Sequence, residues 1–200
     1  MSRRVLHCEG GDIVLPAHGL ALVSAEDGGN LIVEPPRVVW ERSELAPSEL
    51  TLWSFLVAAV GRAMLDTLPQ LEAGCINYWE AGNWALNDAA APQGPKTPRL
   101  HRRVHLHLLG RSRTTANPTC RWGESPRFPE FAERDSWARD HQRLSAAECR
   151  SIVTRAEVLL RERYGMSAGQ ISASSPCRTC QYPAPIEDLT VNGLCSECRP

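Results

Sequence analysis

The sequence predicts an α+β fold with a small metal-binding module at its C-terminal end. Short apolar runs bounded by Gly, Pro and Asn are typical of strands, and several of them fall in the first half of the chain. Two longer segments repeat apolar residues at three- and four-residue intervals, which is typical of helices packed on a core. Two Cys-x-x-Cys pairs close the chain and predict the metal site.

Length and composition favour one core with room for a small appendage. The chain has 200 residues, 22 Lys and Arg, 23 Asp and Glu, and a formal net charge of −1. Because charges of both signs are mixed, no bulk polyanion partner is expected. No apolar run reaches the ~18 residues that a membrane span needs, and the first residues do not resemble a secretory signal. We therefore expect a cytoplasmic protein without a membrane partner.

The predicted strands lie in three regions before residue 90. Residues 11–23 hold two apolar runs around Pro16-Ala17-His18-Gly19, which indicates a strand pair or one bent strand. His18 falls in that turn and is interpreted as structural or solvated. Residues 30–34 form a further strand that stops at Pro35, and residues 75–87 hold another strand that passes into a turn near 81–83.

Two helices are predicted from their caps and their apolar faces. Pro47 suits the first position of a helix that ends near Leu68, because a following proline disfavours helical geometry. Ser145 and Glu148 form a capping-box pattern that opens a second helix, which ends near Gly165.

The candidate catalytic side chains lie in a predicted strand at residues 103–110. Polar and apolar residues alternate there, so His105 and His107 share one face. Two imidazoles on one face can serve as nucleophile and proton donor. A solvated polar face and a pair of metal ligands are the alternatives. Five arginines surround the pair and suggest a phosphate ligand: Arg99, Arg102, Arg103, Arg111 and Arg113.

The sequence Arg103-Val-His105-Leu-His107-Leu-Leu109-Gly resembles the signature of the histidine triad superfamily of nucleotide hydrolases and transferases. That signature reads His-φ-His-φ-His-φ-φ, where φ is apolar, and the resemblance extends over residues 28–113. It implies an antiparallel sheet with packed helices. His105 matches the middle histidine, which attacks a phosphate, and His107 matches the third. Arg103 replaces the first histidine.

The resemblance also implies a substrate and a set of contacts. The substrate would be a purine-nucleotide conjugate, such as a dinucleoside polyphosphate or a phosphoramidate, and no metal would be needed at the histidine site. His105 would carry a nucleotidyl intermediate, while His107, Arg103 and Arg111 would bind or compensate phosphate charge. Asn83 and Asn87 are candidate nucleotide contacts. The family often forms homodimers, so a homodimer is one expectation.

The loop before the histidine strand adds one further candidate contact. Residues 88–97 are rich in proline and cannot be regular for long. Since this loop delivers the chain to the strand, Lys96 is placed to bind the phosphate; an idle exposed lysine is the alternative.

The C-terminal cysteines predict a structural zinc ion. Cys177, Cys180, Cys195 and Cys198 form two Cys-x-x-Cys pairs that can place four thiolates around zinc and leave no open position for water. Two disulfides, or redox-active dithiols, are the alternatives. The predicted organisation is a catalytic domain at 1–166, a linker at 167–176 and a zinc module at 177–200. The module is not markedly basic, so nucleic-acid binding is not favoured.

The sequence is also compatible with two other functions. Loss of the first histidine could leave a nucleotide sensor without turnover. The zinc module could instead make the chain an interaction or adaptor protein.

Overall fold

The computed structural model describes residues 2–17 and 20–199 and has an α+β architecture built on a five-stranded antiparallel sheet. His18 and Gly19 lie outside the described residues, and with them the interpretation of His18. The strands of the main sheet are β1 (Arg3–Cys8), β2 (Gly11–Leu15), β3 (Asn30–Glu34), β4 (Cys75–Ala81) and β5 (His105–Arg111). The α-helices are α1 (Pro47–Thr67), α2 (Pro98–His101), α3 (Arg134–Arg139) and α4 (Ala146–Glu162), and β6 (Ser174–Pro176) and β7 (Pro183–Pro185) form a second, two-stranded sheet.

Strand β5 lies inside the main sheet, whose strand order is β1-β2-β3-β5-β4. In this register His107 lies opposite Ile32 of β3 and opposite Trp79 of β4. Leu106 and Leu108 point to the other face and join the main core. The predicted alternation is therefore confirmed: one face of β5 packs on the core and the other carries both histidines.

Helices α1 and α4 pack against each other and cover the core face of the sheet. Pro47 opens α1, and Glu49 accepts a hydrogen bond from the N–H of Ala46, which satisfies one free donor at the helix start. The predicted end of α1 at Leu68 is confirmed. The Ser145–Glu148 capping box is confirmed as well, because each side chain accepts from the other residue's backbone N–H.

By length and composition alone, α1 would be suitable for crossing a membrane. Core helices meet the same criterion. Here Trp53, Leu56, Val60 and Met64 are buried in the core that α1 shares with α4 and the sheet, so the apolar face of α1 already has protein partners.

The N-terminal strands differ from the prediction. Strand β1 was not expected, because a bulge between Arg4 and Leu6 breaks its alternation. The expected strand at 20–23 does not form. Instead, the N–H of Leu22 donates to the side chain of Asn30 and its carbonyl accepts from the indole of Trp137, so side chains take the place of a strand partner.

Strand β5 begins at His105, whereas the sequence predicted residue 103. The N–H of Arg102 donates to the carbonyl of Pro98 and thereby closes α2, and the N–H of Val104 donates to Val39. Arg103 therefore lies in the connection before the strand.

Residues 167–176, which the sequence predicts as a linker, contact the main sheet. They include a short 3-10 turn at Ala168–Gln170, a bridge between Ile171 and Cys8, and all of β6. Strand β7 lies against β1. The division into domain, linker and zinc module stays a prediction.

The close approach of the Gly110 and Gly28 backbones leads to a prediction about stability. Gly110 of β5 packs so tightly on Gly28 that an added Cβ would lie 2.5 Å from the Gly28 backbone. We expect Gly110→Ala to lower the free energy of unfolding by about 1–3 kcal/mol, because backbone atoms cannot move aside as a flexible side chain can. Urea unfolding measures this. Gly169→Ala, where the added Cβ meets open space, is the control; equal effects of the two substitutions would contradict the prediction.

Candidate functional site

The two histidines of β5 form a hydrogen-bonded pair that extends at both ends. Nε2 of His105 lies 3.1 Å from Nε2 of His107. Nδ1 of His105 lies 2.9 Å from the carbonyl oxygen of Arg103, and Nδ1 of His107 lies 3.3 Å from the side-chain nitrogen of Asn30. This chain of four groups runs from the connection before β5 to the start of β3.

The partners at each end determine where the protons lie. A carbonyl oxygen only accepts, so Nδ1 of His105 carries a hydrogen and, in the neutral ring, its Nε2 does not. The contact between the rings then requires a hydrogen on Nε2 of His107. Nδ1 of His107 is left to accept from Asn30, whose amide is oriented because its oxygen accepts from the N–H of Leu22 at 3.2 Å. The network thus leaves a lone pair on Nε2 of His105.

Burial keeps both rings neutral. His107 is only 9% exposed, and burial together with the neighbouring His105 lowers its pKa to about 3. Burial also lowers the pKa of His105, against the opposing effect of its hydrogen bond to the carbonyl of Arg103. An unprotonated imidazole is the form required of a nucleophile.

The pair lies at the wall of an apolar cavity of about 320 Å³. Its lining combines small and aromatic apolar residues with a few polar ones, including Pro16, Leu20, Leu22, Ile32, Trp79 and Trp84. The Trp79 ring lies 5.3 Å from the His107 ring and stacks on Phe128 at 4.1 Å. A flat aromatic ligand would find ring faces and aliphatic side chains in this cavity.

The segment after β5 covers part of this face. Buried Asp27 accepts hydrogen bonds from the N–H groups of Ser112 and Thr119, and Phe128 then reaches Trp79. Burial raises the pKa of Asp27, although these N–H donors oppose the rise. Within residues 111–137, Phe128 packs on the cluster of Leu22, Val23 and Leu109, and the indole N–H of Trp137 donates to the carbonyl of Leu22.

Of the predicted ligand contacts, two reach the cavity. Arg103 and Asn83 line it. Asn87 is exposed and caps a turn through the N–H of Ala89, and Lys96 donates to the carbonyls of Asn87 and Gly94. Arg111 is buried and donates to the carbonyls of residues 121 and 124. Asn87, Lys96 and Arg111 therefore serve loop structure rather than the cavity.

The predicted positive field is smaller than the arginine count suggested. Arg102 forms ion pairs with Glu41 at 2.9 Å and with Glu80 at 3.6 Å. Arg113 lies over the Trp122 ring. Arg103 is exposed and donates to the backbone carbonyls of Leu100 and Arg102. Arg103 is thus the arginine best placed to meet an anion at the cavity.

Sequence reasoning missed Asn30 and Trp79. Both precede β5 in the chain, and neither belongs to a recognisable motif. The available signal was a polar residue at the start of a buried strand: Asn30 is only 2% exposed, and such a group requires partners.

The four C-terminal cysteines form a group that could hold a metal ion. The sulfur atoms of Cys177, Cys180, Cys195 and Cys198 all lie within 4.8 Å of one another. Those of Cys180 and Cys195 are 3.8 Å apart, close to the edge of about 3.8 Å in a tetrahedron with metal–sulfur bonds of about 2.3 Å. All four are free thiols, so the disulfide alternative does not apply in this structure.

Comparisons with known proteins returned no match: no family model, no curated protein and no solved structure matches the chain.

The depressed pKa of His107 predicts a pH-dependent stability. The unfolded ring protonates near pH 6.5 while the folded ring stays neutral, so the unfolded state gains protons as pH falls. We expect the free energy of unfolding to decrease by about 1.4 kcal/mol between pH 7.5 and 5.5 on this account. Urea unfolding of wild type and His107→Gln measures it. The variant should lose less stability over this interval, and parallel curves would contradict the assignment.

Proposed function

We propose that the chain is a histidine-triad-like nucleotide hydrolase or nucleotidyltransferase in which His105 is the nucleophile. The observation that carries this proposal is the hydrogen-bonded pair of neutral histidines beside an apolar cavity. The resemblance of residues 103–110 to the histidine triad signature supports it. So does the five-stranded antiparallel sheet with packed helices, which agrees with the architecture that the resemblance implies.

In this proposal the base of a purine nucleotide occupies the apolar cavity and its α-phosphate lies at the histidine pair. On substrate binding the Nε2–H of His107 donates to a substrate oxygen in place of Nε2 of His105, which frees the lone pair of His105. Nε2 of His105 then bonds to the α-phosphorus while the bond from phosphorus to the leaving group breaks. The leaving group takes its proton from water, while the Nε2–H of His107, which stays on the ring, donates a hydrogen bond that stabilises the charge developing on the leaving group.

The ring of His105 becomes positively charged as its Nε2 bonds to phosphorus. The carbonyl of Arg103 accepts from Nδ1 of His105 and stabilises that charge. The exposed Arg103 side chain, which lines the cavity, offsets developing phosphate charge once its guanidinium exchanges the carbonyls of Leu100 and Arg102 for the phosphate. Water or another acceptor then attacks phosphorus through an oxygen that loses its proton to solvent, and the phosphorus–nitrogen bond breaks so that its electron pair returns to Nε2 of His105. Here Arg103 supplies a backbone acceptor and a cation in place of the first histidine of the triad.

We further propose that the cysteine group holds a structural zinc ion. Cys177, Cys180, Cys195 and Cys198 would supply four thiolates, which saturate a tetrahedral site. The ion contributes folding energy and no step of the reaction. The predicted homodimer and the cytoplasmic location stay predictions.

The nucleophile can be identified by mass spectrometry. After a brief reaction with diadenosine tetraphosphate or an adenosine phosphoramidate and quenching that preserves a phosphorus–nitrogen bond, wild type should carry an adenylyl group or release AMP. We expect neither from His105→Ala. His101→Ala, which changes a half-buried histidine outside the pair, should react as wild type does. If wild type binds nucleotide but shows neither adduct nor turnover, the catalytic proposal fails and a nucleotide sensor replaces it.

The proton arrangement gives a second test at Asn30. Asn30→Asp keeps an oxygen for the N–H of Leu22 but replaces the amide donor to His107 by an acceptor. The hydrogen of His107 should then move to Nδ1, and its Nε2 can no longer donate to the leaving group. We expect turnover to fall by about 10²–10³-fold, the range for a lost hydrogen-bond donor to developing charge, with a raised pKa of His107 measured by NMR. Asn83→Asp, at the cavity but outside the network, is the control. Unchanged turnover, or an unchanged His107 titration, would contradict the assignment.

A further inference from the structure

Two buried arginines lie where the C-terminal module meets the main sheet. Arg3 of β1 is 2% exposed, and the side chain of Arg143, which precedes α4, is 11% exposed. Both guanidinium groups lie on the ring of Tyr182, at 4.6 and 5.1 Å from its centroid. The cluster therefore joins the first strand, the approach to α4 and the module.

The charges of this cluster do not balance by themselves. Both arginines contact the carboxylate of Glu197, so two buried positive charges share one negative charge among the described residues. Nε of Arg3, and Nε and Nη1 of Arg143, have no hydrogen-bond partner within residues 2–17 and 20–199. Buried cations without full compensation are costly, so the cluster calls for a further anion.

The cysteine group can supply that anion. Arg3 donates from Nη1 to the sulfur of Cys180, one of the four clustered thiols. Four neutral thiols carry no charge, and two disulfides carry none either. A divalent metal bound by four thiolates carries a net charge of −2, since four negative charges exceed two positive ones. With the metal bound, Glu197 and the centre that Arg3 contacts together carry three negative charges, whereas Glu197 alone carries one.

We propose that Arg3, which shares Glu197 with Arg143, compensates the negative charge of a metal–tetrathiolate centre and donates a hydrogen bond to a metal-bound sulfur. The same arginine belongs to β1, the edge strand of the main sheet. Metal binding therefore stabilises the contact between β1 and the module. The stability of this edge of the sheet then depends on the ion. This inference rests on the four-cysteine metal site and is independent of the histidine chemistry.

Neighbouring arginines allow a matched experiment. Arg3→Met removes the cation that contacts Cys180. Arg4→Met removes the next cation of the same strand, which binds Asp188 of the same module and contacts no cysteine of the group. The dissociation constants of Zn²⁺ and Co²⁺ are measured by competition with a chelator, and the absorption of tetrahedral thiolate-bound Co²⁺ reports the geometry.

We expect Arg3→Met to weaken Zn²⁺ binding by about 10–100-fold, the usual effect of losing a partner of a metal ligand. Arg4→Met should change the affinity for Zn²⁺ by less than about threefold. The affinity of Arg3→Lys should lie between those of wild type and Arg3→Met, because lysine keeps the positive charge but lacks the planar guanidinium. Equal effects of Arg3→Met and Arg4→Met would show that only general contact between module and sheet matters, and would overturn the proposal.

Glu197→Gln separates the two roles that Arg3 could have. If the arginines serve the metal centre, removing the competing carboxylate leaves Zn²⁺ affinity unchanged or higher. If they serve only to bind Glu197, this variant weakens Zn²⁺ binding as Arg3→Met does, and the proposal fails.

Hydrogen exchange of the full-length protein provides a readout that needs no variant and therefore does not depend on how a variant folds. Chelation of the metal should lower the protection of residues 3–8 in β1 together with that of residues 177–198, while β4 at the opposite edge keeps its protection. Loss of protection confined to residues 177–198 would contradict the coupling between the metal and the sheet.

Discussion

The structure depends on the two faces of β5. Leu106 and Leu108 anchor one face in the core beneath α1 and α4, and this packing places His105 and His107 on the other. A slip of one residue in the pairing with β3 or β4 would exchange leucines for histidines, so the core packing that stabilises the fold also determines the register of the site. The geometry of the histidine pair is therefore a consequence of packing on the opposite side of the sheet.

The apolar cover and the hydrogen bonds of the histidine pair act together. Trp79 and the segment that carries Phe128 exclude water from His107, which keeps the ring neutral. Neutral rings alone would leave the tautomers free. The carbonyl of Arg103 at one end and the amide of Asn30 at the other select a single arrangement of protons. Burial thus determines the charge, and the hydrogen bonds determine which nitrogen holds the lone pair.

Local periodicity predicted the parts of the structure that local physics decides. The strand with His105 and His107, the helix that begins at Pro47 and the capping box of α4 all follow from spacing and cap chemistry. The partners of charged groups could not be predicted in this way. Lys96 and Arg111 carry the charge expected of phosphate ligands, yet both bind loop carbonyls, because a sequence gives the charge of a side chain but not the group it meets. Asn30 lies 77 residues from His107, and no motif links them.

The strand order also separates the roles of the two candidate sites. The module lies against β1 at one edge of the sheet, while the histidines lie on β5, three strand spacings or about 14 Å away. At that distance the four-cysteine group lies outside the cavity beside the histidines. It contacts the edge strand instead, where unpaired backbone groups are a liability in any open sheet. The module lies against that edge, and the hydrogen bond from Arg3 to the sulfur of Cys180 joins the cysteine group to the strand.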